Sequence, residues 1–391
     1  MQTPREKFSV TEANFAMRRN FSALAGLLCF CLFFLIILIS NLPAAEKPLP
    51  LHPARHYKAL PGGRVQCRLC PRGCILDEGQ RGVCSVRKNS GGRLWTLVWG
   101  LPCAVNVDPI EKKPFFHFLP GTLSFSISTA GCNMRCLFCQ NWQISQKSPE
   151  ETSNMALPPA EVVKAALKTG CRSIAYTYTE PAIFFEYMLD TAREARKAGI
   201  HNVMHSCGYM NPEPLRELCR YLDAADIDLK SIDSRFYADL TLGDVAPVLN
   251  CLKILKEEGV WIEITNLIIP GQNDDPATIR KMCRWIVDNL GPEVPLHLSR
   301  FYPTFRLKNL PPTPLETLEM ARRVALREGL LFVYIGNVPG NQAENTTCPK
   351  CGKLLIERKG FEILRNEISG GKCRSCGRKI PGIFREEETG K

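Results

Sequence analysis

The chain has 391 residues, 45% hydrophobic and 23% charged, with 19 cysteines and a formal net charge of +11. That length and apolar content support one large core plus small modules and exclude disorder along most of the chain. Lys and Arg are dispersed, and no helix-turn-helix, aromatic RNA-binding signature or long basic block occurs, so the charge reads as a solvated surface rather than a nucleic-acid interface.

Residues 1–20 read as a basic tail and 21–42 as a transmembrane span or signal-anchor. "FSALAGLLCFCLFFLIILIS" (21–40) carries no charge and as a helix would rise about 30 Å, the thickness of a bilayer core. Arg18 and Arg19 resemble a twin-arginine export signal, but "NLPAAE" is a weak cleavage site, which favours an uncleaved anchor. The expectation is a membrane-associated protein held by one N-terminal span, its orientation unsettled by the flanking charges. Residues 43–63 hold five prolines and read as a linker.

Residues 64–121 form a cysteine module. Cys67, Cys70, Cys74 and Cys84 follow C-x2-C-x3-C-x9-C, with Gly73, Gly79 and Gly82 allowing tight turns, and would close on zinc or an iron–sulfur cluster. Lys113 and His117, in "DPIEKKPFFHFLPG" (108–121), have no role derivable from the pattern.

From 122 to 340 strand and helix patterns alternate. Strands are expected at 122–129, 172–179, 201–206, 225–230, 261–269, 296–301 and 331–336, with amphipathic helices between them. This beat predicts an α/β fold with a parallel sheet, a partial (β/α)6-type barrel rather than a full eightfold one, and places chemistry at the C-terminal strand ends. A doubly wound open sheet is the alternative.

Cys132, Cys136 and Cys139 follow the first of these strands as C-x3-C-x2-C. Iron–sulfur clusters usually take four thiolates, so three on one strand-end loop imply either a distant fourth ligand or a small molecule on an open iron. A zinc site completed from elsewhere and plain core cysteines are the competing readings. Other strand ends carry "YTYTEP" (176–181), "HSCGYM" (205–210), "DIDLK" (226–230), "LHLSRFYP" (296–303) and "YIGNVPGN" (334–341). Among these, His297, Arg300 and Asn337 read equally well as core or capping residues, and Cys207 lies nearest the mouth. Cys103, Cys171, Cys219, Cys251 and Cys283 read as small buried hydrophobes.

In the C-terminal segment, 341–391, Cys348 and Cys351 pair with Cys373 and Cys376 across 21 residues, a zinc-ribbon-like arrangement with Gly352 and Gly377 in the knuckles. Residues 345–391 hold 11 Lys or Arg against 6 Glu, and stabilisation of a C-terminal lobe is favoured over nucleic-acid contact.

The C-x3-C-x-aromatic-C loop, with Phe138 as the aromatic residue, resembles the signature of the radical S-adenosylmethionine (SAM) enzymes. "CRLCPRGC", "RGVCSVR", "DPIEKKPFFHFLPG", "STAGCNMRCLFCQNWQIS", "AYTYTEP", "DIDLK", "IIPGQNDD" and "YIGNVPG" look like the AmmeMemoRadiSam-system members, related to pyruvate formate-lyase activating enzyme homologues. The resemblance implies a [4Fe–4S] cluster on Cys132, Cys136 and Cys139, with SAM as the fourth ligand and a 5′-deoxyadenosyl radical as the hydrogen abstractor. Phe138 would lie near the adenine. Thr179 and Glu180 take the place of a Gly-Gly-Glu-Pro segment whose glycines are missing here, and Asp228 and Lys230 match a D-x-K pattern near SAM and substrate. Asn337 joins the implied SAM site, and Glu180, Asp228 and Lys230 are the candidate catalytic residues. An external flavodoxin- or ferredoxin-like donor and partner proteins of the same system are implied, with the catalytic domain on the cytoplasmic side. The rival functions are a glycyl-radical-enzyme activase and, in another class, a noncatalytic iron–sulfur or zinc carrier or nucleic-acid adaptor.

Overall fold

A computed structural model describes residues 49–384. Its centre is an eight-stranded sheet: β1 (Ala104–Pro109), β2 (Leu123–Ser128), β3 (Ser173–Tyr176), β4 (His201–Ser206), β5 (Ala224–Asp228), β6 (Trp261–Ile268), β7 (Leu296–Arg300) and β8 (Val333–Gly336). Spatial order follows chain order; β1 pairs antiparallel with β2, and every later pairing is parallel. All seven strands expected from the alternation are present. The sequence shows them because strands covered on both faces are short, apolar and bounded by turns: all four residues of β3 and four of the five in β5 are buried.

Helices α1 (Pro159–Lys168), α2 (Phe185–Lys197), α3 (Pro212–Cys219), α4 (Ser234–Thr241), α5 (Val245–Glu257), α6 (Pro276–Leu290) and α7 (Leu315–Arg327) fill the crossovers. Local chemistry sets their starts. Asp275 accepts from the amides of Ala277 and Thr278 at 3.0 Å with Pro276 in the first turn, and Asp233 and Asp244 cap α4 and α5 the same way.

Residues at or near the C-terminal ends of β2 through β8 line one cavity, so the sheet is curled into a partial barrel. The segment after β1 folds against early strand residues, packing Ile110, Phe115 and Phe118 on Ala175, Val203 and Ala224. Its Phe116 and His117 amides donate to the buried Glu263 carboxylate at 3.0 and 2.8 Å.

The C-terminal module, with strands Thr346–Thr347, Leu354–Lys359 and Glu362–Asn366, bridges the two ends of the curl. Toward β8, Thr346 Oγ1 lies 2.9 Å from the Tyr334 hydroxyl. Toward the segment after β1, Arg358 donates to Phe116 O at 2.9 Å and Ile383 exchanges backbone hydrogen bonds with His117 and Leu119.

The membrane expectation is corrected. The longest helix among the described residues, α6, has 15 residues and an amphipathic sequence, and no described helix is long and apolar enough to cross a membrane. The expected single span, the membrane as a partner and the membrane-associated location are therefore dropped. The stretch that prompted them, 21–42, lies outside the described residues.

Candidate active site

Cys132 and Cys136 are buried and Cys139 half-buried on the loop that leaves β2. Neighbours fix this loop through its backbone: Arg135 and Leu137 amides donate to Thr241 O and Leu240 O at the end of α4, at 3.0 and 2.9 Å, and the Arg306 amide donates to Leu137 O at 2.9 Å. Gly131, at φ 89°, lies so close to Cys84 that a Cβ there would stand 2.3 Å from the Cys84 carbonyl oxygen, which makes this position one only glycine fills. Burial pushes the Cys132 thiol well above its ordinary pKa and that of Cys136 up to about 11.

The three sulfurs open on a cavity of about 400 Å³, within the size range of small-molecule and cofactor sites. Phe138 lines it, 6.0 Å from the Phe236 ring on α4. Thr179 is tied to the end of β2, its hydroxyl 2.8 Å from Ser128 Oγ and donating to Thr129 O at 3.0 Å. Glu180 is buried and already engaged, accepting from the Ser206 hydroxyl and the Cys207 amide at 2.7 Å each. Burial raises its pKa against those donors. Its carboxylate therefore clamps the end of β3 to the end of β4.

Asp228 and Lys230 stand 2.7 Å apart beside the cavity, and the Lys230 ammonium lies 5.7 Å from the Phe138 ring. Burial works against the charge of both, but their mutual attraction prevails: Lys230 is raised well above the ordinary lysine value, and Asp228, aided by His205, is lowered. Asn337 sits at the end of β8 with φ 59°, donating to Ser299 Oγ at 2.8 Å.

Several lining residues had no assigned role in the sequence. His205 places Nδ1 2.7 Å from Asp226 and Nε2 3.7 Å from Asp228; its strand-end position in "HSCGYM" was the available signal. Lys113 is buried 2.7 Å from Asp108, with its ammonium 4.1 Å from the Tyr178 ring, whose hydroxyl donates to Asp108 at 2.5 Å. Nothing local marks that trio, because Tyr178 lies 70 residues from Asp108. Cys207 also lines the cavity. His297 instead pairs with buried Glu263 at 2.7 Å, and Arg300 donates to Thr313 O at 2.8 Å.

The other two cysteine sets lie elsewhere. Cys348, Cys351, Cys373 and Cys376 bring their sulfurs within 4.8 Å of one another, with 3.6 Å between Cys348 and Cys376 and 3.8 Å between Cys351 and Cys373, so they can hold a metal ion. Cys67, Cys70, Cys74 and Cys84 line a separate small cavity.

The family model for the radical SAM superfamily matches residues 126–283. A protein of Methanocaldococcus jannaschii described as uncharacterized protein MJ0808 is 46% identical over 329 residues, 84% of this chain and 98% of that one. The pyruvate formate-lyase-activating enzyme of Staphylococcus epidermidis is 26% identical over 237 residues, 56% of this chain and 92% of its own length. Among solved structures, a radical SAM methyltransferase from Sphaerobacter thermophilus matches with TM-score 0.46 and 15% identity over 81% of this chain and 87% of that one.

Proposed function

This chain belongs to the radical SAM superfamily, and we propose that it is the enzyme of an AmmeMemoRadiSam-type system, binding a [4Fe–4S] cluster through Cys132, Cys136 and Cys139 and SAM beside it. The observation that carries the reading is the convergence of three thiols from one strand-end loop with residues from six other strands or the turns just past them on a single cavity of about 400 Å³. The donor set fits: three soft sulfurs suit iron–sulfur ligation, and the adjoining space suits a ligand of cofactor size. When bound, cluster and SAM supply a one-electron reductive cleavage that yields a 5′-deoxyadenosyl radical for hydrogen abstraction.

The chain's own residues bind and orient. Lys230 offers a fixed cation to the SAM carboxylate, and Asp228 holds that cation in place. Phe138 forms an apolar wall for the adenine, while Thr179 after β3 and Asn337 after β8 offer polar contacts. Glu180 positions the ends of β3 and β4 through its clamp. Electrons come from an external donor of the flavodoxin or ferredoxin class. The C-terminal thiols take zinc, since four sulfurs at about 2.3 Å from one ion stand about 3.8 Å apart, close to the spacing of their cross-pairs. The N-terminal thiols take zinc or a second iron–sulfur cluster.

A glycyl-radical activase is the second reading, favoured by the likeness to pyruvate formate-lyase-activating enzymes. Anaerobic reconstitution followed by SAM and dithionite tests the main proposal. The protein is expected to form 5′-deoxyadenosine and a Cys132→Ala/Cys136→Ala/Cys139→Ala variant none; product from that variant would refute the assigned loop. Incubation with a glycyl-radical enzyme, read by electron paramagnetic resonance, separates the second reading.

A further inference from the structure

We propose that Cys67, Cys70, Cys74 and Cys84 hold a second iron–sulfur cluster, packed against the loop that carries the first. Cys67 ends the short strand Val65–Cys67, and the chain turns back so that the Cys67 amide donates to Cys74 O at 2.9 Å. At Gly82 an added Cβ would meet Cys74 Sγ at 3.5 Å and Cys84 Sγ at 3.8 Å, so the later turn delivers Cys84 to the same point. All four cysteines line one cavity.

Sulfur spacing separates this set from the C-terminal one. Sulfurs closed on one zinc sit about 2.3 Å from the ion, hence about 3.8 Å from one another. The C-terminal sulfurs have that tight spacing, all within 4.8 Å of one another. Among the described residues no three of the N-terminal sulfurs are gathered that closely, and a wider set of thiols suits a multi-iron core.

The polar lining points the same way. Arg87 is 1% exposed, with Nη1 on Glu186 and Nη2 on Arg55 O, yet its Nε has no hydrogen-bond partner among the described residues, and neither has Arg72 Nη2. Both arginines line the cavity. Buried donors are rarely left unpaired, and an anionic thiolate cluster gives these two an acceptor.

The site is joined to the catalytic loop. Arg72 Nε donates to Asn133 O at 2.8 Å, next to Cys132 in sequence; Asn133 itself lines the N-terminal cavity; and Arg135 donates to Val83 O, beside Cys84. Four protein thiolates leave no iron open to substrate, so this centre stores or passes an electron.

Reading residues 132–139 as an iron–sulfur loop enters only through the metal count, and the experiment separates the two. The full chain, reconstituted anaerobically with iron and sulfide, is expected to carry about eight irons, four for each [4Fe–4S] cluster, plus one zinc. The Cys132→Ala/Cys136→Ala/Cys139→Ala variant is expected to keep half the iron, with a reduced-state paramagnetic signal that SAM does not alter. Cys70→Ser/Cys74→Ser is expected to lose the other half, its retained zinc reporting that the C-terminal module is folded. Loss of all iron from the triple variant, or a second zinc per chain in place of iron, would overturn the proposal and leave the catalytic reading standing. Iron kept in the triple variant and lost entirely from Cys70→Ser/Cys74→Ser would uphold it and remove the catalytic reading.

Discussion

Two residues carry distinct and separable roles in the account. Lys230 is the proposed SAM-carboxylate partner, so Lys230→Met is expected to weaken SAM by at least about tenfold in Kd, the loss of one hydrogen bond to a charged group being roughly 1.5–3 kcal/mol. Equilibrium dialysis of the reconstituted protein checks this; an unchanged Kd would move the SAM carboxylate away from β5. Gly131 does not bind. It lets the loop of Cys132, Cys136 and Cys139 lie against Cys84, and Gly131→Ala puts a Cβ 2.3 Å from backbone at φ 89°. That substitution is expected to cost at least about 2 kcal/mol through clash and strain, read as a lower urea midpoint. A neutral result would mean that the two loops are not in contact.

At the scale of elements, a buried ion pair joins α2 to the N-terminal module, Arg87 with Glu186 at 2.9 Å, each side chain about 2% exposed, beside a hydrogen bond from Trp99 Nε1 to Asp190 at 3.0 Å. Removing one partner strands a buried charge, so Arg87→Met is expected to cost roughly 3–5 kcal/mol, with Arg87→Met/Glu186→Met recovering most of it. Denaturant midpoints of the three proteins test this. These links were not legible in the sequence. Spacing grouped Cys67 with Cys84 and Cys132 with Cys139, but nothing local says that Val83 meets Arg135. Strand β1 was also hidden: "AVNVDP" contains Asn, Asp and Pro, all poor strand formers, and it is held by pairing with β2 rather than by its own propensity. The parallel strands were legible because burial on both faces writes itself into composition, and the strand ends quoted from the sequence meet at one cavity.

For the whole molecule, the C-terminal module is the brace between the ends of the curl, and its chemistry is pH-dependent. Pro381 O can only accept, so His117 Nδ1 carries the proton and donates at 2.7 Å, leaving Nε2 to accept from the Tyr334 hydroxyl at 2.6 Å. Thr346 and Arg358 continue this chain. Burial holds the His117 pKa down to about 4, so the fold requires a neutral imidazole while the unfolded chain takes up its proton near pH 6.5. The unfolded state then binds more protons between these values. Stability from this site is full above about pH 6.5 and is lost as pH falls toward 4, by up to about 3 kcal/mol. Comparison of the acid limb with that of His117→Gln checks the sign; identical slopes would show that His117 is not the group responsible. The central claim is an iron left open for SAM beside Cys132, Cys136 and Cys139. Its most direct test is electron paramagnetic resonance of the dithionite-reduced Cys70→Ser/Cys74→Ser protein before and after adding SAM: a shifted cluster signal is predicted, and an unchanged one would contradict the account.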